Sequence, residues 1–152
     1  MKFSNPLIVT ADLALAKQFY QEVLGLSVVL DFGANVTLDG GISLQTLDTW
    51  KDFIGTEDIT FSPNSSELYF VEEDFDEFLQ TLSRFQLHYV HPLKEHRWGQ
   101  RVVRFYDPDG HIIEVGESLA AVCRRFLAQG MTQEEIALRM DIPLSHVLEL
   151  LP

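Results

Sequence analysis

Apolar and polar positions follow an order that the chain runs through twice. Leu7, Ile8 and Val9 read as a short strand, after which Leu13, Ala16, Phe19, Tyr20, Val23 and Leu24 recur at helical spacing. Asp12 is placed to cap that helix and Gly25 to stop it. Residues 26–30, 35–38 and 42–47 then read as three strands parted by the turns 31–34 and 39–41. The second pass begins with a strand at 67–71. A helix follows, lined by Phe75, Phe78, Leu79, Leu82 and Phe85, and then strands at 87–90, 101–106 and 111–115 with a polar excursion at 94–100. Asn5 precedes Asp12 by seven residues and Glu67 precedes Asp74 by seven, so equivalent positions lie 62 residues apart. A duplicated unit follows from that spacing.

These elements predict an α+β protein of two βαβββ modules, residues 1–48 and 66–117. Their mixed sheets, each backed by a helix, would cup a shared interior. Residues 48–65, with Trp50, Phe53, Gly55, Pro63 and Asn64, lack a clear period and read as an inter-module connection that could cover a ligand. Residues 118–152 form a helical appendage. Ser118 caps a first helix, Thr132 and Glu135 make a capping box for a second, and Pro143 opens a third.

Composition narrows the function classes. The chain has 152 residues, 46% of them apolar and 22% charged, which suits one globular domain with an appendage. No apolar run approaches the ~20 residues that span a bilayer, and the first residues do not read as a signal peptide, so the expected location is cytoplasmic. The lone Cys123 lies among Val122, Phe126 and Leu127 and reads as a buried structural thiol. A net charge of −12 disfavours nucleic acid and anionic membranes as partners. It suits a cationic or neutral ligand, or simply solubility.

Strand alternation places the chemistry. Asn5 shares a face with Leu7 and Val9, Gln45 with Ser43 and Leu47, Glu67 with Tyr69 and Val71, and Glu114 with Ile112. With residues 107–110 as a four-residue hairpin turn, Tyr106 pairs with His111, Val103 faces Glu114, and Arg101 and Phe105 join that interior face. Ile8, Leu44, Leu68, Phe70, Ile113 and Val115 point toward the helices. A buried unpaired carboxylate costs several kcal/mol, so Glu67 and Glu114 each require a metal, a cation or a proton. Arg101 or Arg104 could be the cation for Glu114, and Glu67 could lie at a wet strand end. His88, His91 and His96 fit no familiar ligand spacing and read as surface or loop residues.

The run Asp12…Phe19-Tyr20…Leu24-Gly25-Leu26, the Trp98-Gly99-Gln100 triplet and the segment Phe105-Tyr106-Asp107-Pro108-Asp109-Gly110-His111-Ile112-Ile113-Glu114 resemble the vicinal oxygen chelate superfamily. That group includes glyoxalase I, extradiol dioxygenases, and bleomycin and fosfomycin resistance proteins. The resemblance covers residues 1 to about 117. It implies metal ligands at Asn5, Gln45, Glu67 and Glu114, a set of two carboxylates and two amide oxygens suited to Zn, Mn, Mg or Ni, or to no metal. With no histidine at those positions, extradiol cleavage is disfavoured. A glyoxalase-like lyase or isomerase would use the ion to polarise a substrate oxygen and Glu67 or Glu114 to move the proton. The alternative is a non-catalytic homodimer that sequesters a cationic or aromatic antibiotic, with Trp50, Tyr69, Trp98, Arg101 and Phe105 lining the groove.

The segment 130–147 looks like a helix-turn-helix unit, which raises a third reading, a small-molecule sensor with a DNA-binding tail. Charge argues against it, because Arg124, Arg125 and Arg139 meet four acidic residues and the would-be recognition helix has no Lys or Arg. A tail packed on its own domain or on a partner copy is expected instead.

Overall fold

The computed structural model describes residues 1–61 and 64–151, so Pro63 of the expected connection lies outside the described residues. The chain divides into two compact units, Met1–Ser66 with Tyr106–His111, and Glu67–Phe105 with Ile112–Pro152.

The first unit holds β1 (Leu7–Thr10), α1 (Leu13–Leu24), β2 (Val28–Asp31), β3 (Asn35–Leu38), β4 (Ser43–Thr46) and α2 (Leu47–Ile54). The Asp12 side chain caps α1 by accepting from the Ala14 and Leu15 N–H groups, and Gly25 ends the helix in the left-handed conformation at φ 71°. Ala16, Tyr20 and Val23 form its buried stripe. Strand order is β1-β4-β3-β2, with β1 parallel to β4 and the other pairings antiparallel. Helix α2 stands where an irregular connection was expected. Leu47, Trp50, Phe53 and Ile54 follow helical spacing, and assigning Leu47 to the preceding strand hid the first of them.

The turn 106–111 belongs to this unit. One Asp107 carboxylate oxygen accepts the Asp109 and His111 N–H groups, and the other accepts the Tyr20 hydroxyl at 2.9 Å and the His111 Nδ1–H at 2.8 Å. Burial first, and the Asp107 charge second, push the Tyr20 hydroxyl pKa up. One turn carboxylate thus anchors the buried end of Tyr20 on α1.

The second unit repeats the order with β5 (Glu67–Glu72), α3 (Phe75–Leu82), β6 (Tyr89–Glu95), β7 (Arg101–Tyr106) and β8 (Ile112–Glu117). Its sheet order, β5-β8-β7-β6, matches the first, and β5 is likewise parallel to β8. Helix α3 stops at Leu82 because Arg84 and Phe85 donate three residues back, closing a tight turn. Strand β6 starts two residues later than expected and runs into the polar excursion as far as Glu95.

Three helices complete this unit, α4 (Leu119–Ala128), α5 (Gln133–Met140) and α6 (Leu144–Leu150). Ser118 caps α4, and Thr132 and Glu135 make both hydrogen bonds of a capping box on α5. Val122, Cys123, Phe126, Ile136, Ala137, Met140 and Val147 form their common core. Cys123 is fully enclosed there, and burial pushes its thiol pKa up, as a structural thiol requires. Among the described residues no helix is long and apolar enough to cross a membrane.

Candidate functional site

The register of the second sheet fixes what shares a face. Glu67 lies opposite Ile112, Tyr69 opposite Glu114 and Val71 opposite Gly116, so these six side-chain positions point the same way. Ile113 and Val115 point the other way and are buried. On β7, Arg104 pairs with Glu114 and Arg101 pairs with Glu117, three positions further along both strands. In the turn unit the Asp107 N–H donates to the His111 carbonyl. The hairpin therefore closes on Asp107 and His111, one residue away from the expected Tyr106 pairing. A one-residue slip exchanges the faces of a strand. Arg101 and Phe105 consequently leave the candidate ligand face for the helix side, where Phe105 is fully buried and the Arg101 guanidinium lies 5.2 Å from the Phe75 ring centre.

Arg104 takes their place. Its Nε donates to Glu67 at 2.9 Å, one terminal nitrogen pairs with Glu114, and the other donates to His91 Nε2 at 3.1 Å. His91 Nδ1 lies 2.8 Å from the Pro92 carbonyl, an acceptor only, so Nδ1 carries the proton and Nε2 offers its lone pair. The imidazole is neutral in this arrangement. Every nitrogen of the guanidinium is committed, and two carboxylates around one guanidinium and a neutral histidine leave one negative charge in excess. Glu114 is only 6% exposed, so Arg104 is the cation its burial demanded. His91, expected on the surface or in a loop, is the fourth member of this cluster on β6.

Tyr69, half exposed, lies across Gly116, where an added Cβ would come within 3.1 Å of the Tyr69 ring and hydroxyl. Gln100 reaches Tyr69 from the loop before β7. Its Nε2 donates to the Tyr69 hydroxyl at 3.1 Å and to the Glu117 carbonyl at 2.9 Å, while its Oε1 accepts the Trp98 indole N–H at 3.2 Å. Trp98 itself stacks on His96 at 4.3 Å and lines a cleft with Arg97, Arg139, Met140 and Asp141. It therefore faces the helical tail, not the sheet face on which it was expected to line a groove.

Glu117, 1% exposed, receives two arginines, Arg101 from β7 and Arg125 from α4. Burial alone would raise its pKa, but the Arg125 and Arg101 hydrogen bonds hold it below the usual carboxylate range. Arg125 also donates to the Gly99 carbonyl, which ties the loop to the tail.

In the first unit, Asn5 donates to Ser43 Oγ at 2.6 Å and accepts from Ser4 at 2.8 Å. Gln45 accepts from Asn35 at 2.8 Å and donates to the Ala34 carbonyl and the Thr49 hydroxyl. Aligning the modules on Asp12 and Asp74 makes Leu7 the counterpart of Tyr69. Leu7 pairs with Ser43, so Ser43 stands in the first sheet where Glu114 stands in the second, and Gln45 lies two pairs further on. Trp50 is half-buried on α2 of this unit.

The four expected ligands do not fit a divalent ion as they stand. Both amide oxygens already accept hydrogen bonds, and Arg104 engages one oxygen of each carboxylate, as an ion pair without hydrogen-bond geometry at Glu114 Oε2. Among the described residues no three His, Cys, Asp or Glu side chains gather as a metal-binding group.

Residues 3–120 match the family model described as a glyoxalase-like domain. A protein of unknown function from Agrobacterium tumefaciens is 38% identical, covering 78% of this chain and 94% of its own, with a TM-score of 0.70. A glyoxalase-related enzyme from Fulvimarina pelagi is 21% identical over 74% of this chain and 86% of its own, TM-score 0.63. A member of the glyoxalase/bleomycin resistance protein/dioxygenase superfamily from Sphaerobacter thermophilus is 23% identical over 78% and 98%, TM-score 0.58. The last two likenesses are of fold alone. Comparison with curated proteins gives no match.

Proposed function

Because the chain belongs to the vicinal oxygen chelate superfamily through its glyoxalase-like domain, we propose that it binds a small cationic or aromatic molecule on the Glu67–Tyr69–Glu114 face without a metal. Sequestration of the ligand, not metal-dependent lyase chemistry, is the role this reading assigns. The observation that carries it is the Arg104 guanidinium held between Glu67 and Glu114. A fixed cation supplies the charge that a divalent ion would otherwise bring to these carboxylates, and it occupies one oxygen of each. The excess negative charge and the exposed Tyr69 ring favour a ligand that is cationic, or aromatic and neutral.

The homodimer belongs to the same reading and is supported by the apolar surface of β2, where Val29 and Leu30 are more than half exposed. The tail arginines support a packing role over DNA binding. Arg124 pairs with Glu73, Arg125 with Glu117, and Arg139 with Glu95.

Elemental analysis of protein purified without chelator or immobilised metal tests the proposal. The wild type should carry well below one divalent ion per chain, and Mn or Zn added at tenfold excess should not survive gel filtration. Stoichiometric metal that survives in the wild type and is lost on Glu114→Ala would overturn the proposal in favour of a glyoxalase-type lyase.

A further inference from the structure

The hydrogen-bond polarity around Tyr69 is fixed by groups that have no choice of role. The Trp98 indole N–H can only donate, so the Gln100 atom it meets is the oxygen. The other end of Gln100 is then the NH₂ group, which suits the Glu117 carbonyl, an acceptor only. The same NH₂ donates to Tyr69, so the phenol oxygen is the acceptor in that bond. Among the described residues the Tyr69 hydroxyl makes this one hydrogen bond, and its own proton stays available on the face that carries Glu67 and Glu114.

Gln100 is held in this pose from several sides. It is 8% exposed, and the neighbouring Gly99 has φ 90° and no room for a Cβ against Phe126 of α4. Arg125 of α4 grips the Gly99 carbonyl. On the other side, Gly116 leaves just enough space for the Tyr69 ring. The tail, the loop and β8 together dictate one orientation of one hydroxyl.

We propose that Gln100 is a positioning residue that makes Tyr69 a hydrogen-bond donor to the bound molecule, so that the ligand carries an acceptor oxygen or nitrogen beside its apolar or cationic part. This rests on the proposed binding of a small molecule at the Glu67–Tyr69–Glu114 face. The tail enters the ligand site indirectly, through the Trp98–Gln100–Tyr69 chain. A ligand acceptor answers a donor that would otherwise be left facing water-poor surface when the ligand covers it.

Two probes of matched shape test this, acetophenone, with a carbonyl, and α-methylstyrene, with a methylene in its place. Each is titrated into ¹⁵N-labelled protein, and the resonances of the β5 and β8 amides, the Gln100 carboxamide and the Trp98 indole are followed. The wild type should prefer acetophenone by about tenfold, the ratio expected of one neutral hydrogen bond. Tyr69→Phe should abolish the preference and shift the Gln100 carboxamide signals even without ligand. Gln100→Glu retains the acceptor for Trp98, gives up the hydrogen bond to the Glu117 carbonyl and captures the Tyr69 proton, so it should also erase the preference while α-methylstyrene still binds. If Gln100→Glu weakens both probes equally and the tenfold ratio persists, Gln100 is merely structural and the inference fails. Equal binding of both probes by the wild type sinks the inference and leaves the small-molecule reading standing. Failure of both probes to shift the face residues overturns that reading as well.

Discussion

Replacing Arg104 by methionine keeps the length of the aliphatic stem and removes the charge, which isolates the guanidinium's role. Glu114, 6% exposed, then loses its cation, while Glu67, with 38% of its side chain accessible, remains partly hydrated. Removing one partner of a buried pair costs about 3–5 kcal/mol, because the orphaned carboxylate retains its desolvation penalty. Protonation is the escape. The folded variant binds a proton more readily than the unfolded chain, so its deficit relative to the wild type should shrink as pH falls. Urea unfolding followed by circular dichroism should show a loss near 3–5 kcal/mol at pH 8, markedly smaller at pH 5. Glu114→Gln in the same background should restore much of the stability at pH 8. A loss below about 1 kcal/mol that does not change with pH would refute the argument, since that is the behaviour of a solvated surface pair.

Two further outcomes follow from the tail-facing side of the sheet. Glu117 is held below the usual carboxylate range by Arg125 and Arg101, despite burial. A depressed folded pKa contributes stability that is complete above the unfolded value and disappears as pH falls through the folded one. Wild-type stability should therefore decline on acidification below about pH 4.3, with a slope that Glu117→Gln flattens in pH-dependent urea titrations. Gly99→Ala places a Cβ against the Phe126 ring at φ 90°. Left-handed strain of about 1–2 kcal/mol and overpacking of about 1–3 kcal/mol should together lower the urea midpoint, and Phe126→Leu in the same chain should recover the overpacking share.

The elements that sequence reading recovered are those with punctuation. Asp12, Ser118 and the Thr132/Glu135 pair sit at helix starts and bond as caps do, and Gly25 stops α1 in the left-handed region. Helix α2 lacked a side-chain cap hydrogen bond at Thr46 and left no comparable signal. The duplicated order was legible because both modules carry the same capped helix at the same offset. Faces were legible within a strand and across β5 and β8, but not across the β7–β8 hairpin. There the turn could close on Tyr106 or on Asp107 with equal local plausibility, and that single residue decided whether Arg101 or Arg104 met Glu114. The Asp107 carboxylate gathers the N–H groups of Asp109 and His111 within the turn and also accepts the Tyr20 hydroxyl of α1, and that last, tertiary contact is not encoded in the local pattern. Gln100 was visible as part of a triplet, yet its role depends on a tail helix packed against Gly99, which no local pattern encodes.

A guanidinium and a divalent ion are different devices even when they neutralise the same carboxylates. A metal can dissociate, and it leaves coordination positions open to a substrate oxygen. An arginine stays charged across the physiological range and spends its donors where its fork is fixed. On the proposed reading, Arg104 commits one N–H of each nitrogen to Glu67, Glu114 and His91, which fixes its fork in the plane of the cluster. Recognition then rests on the groups around it, the excess negative charge of the cluster and the Tyr69 hydroxyl over Gly116 on the same face. On the same proposal, the site would select by charge sign and by one oriented O–H. Two such criteria, each weak alone, would discriminate among ligands by their joint satisfaction, and neither would activate a bound molecule.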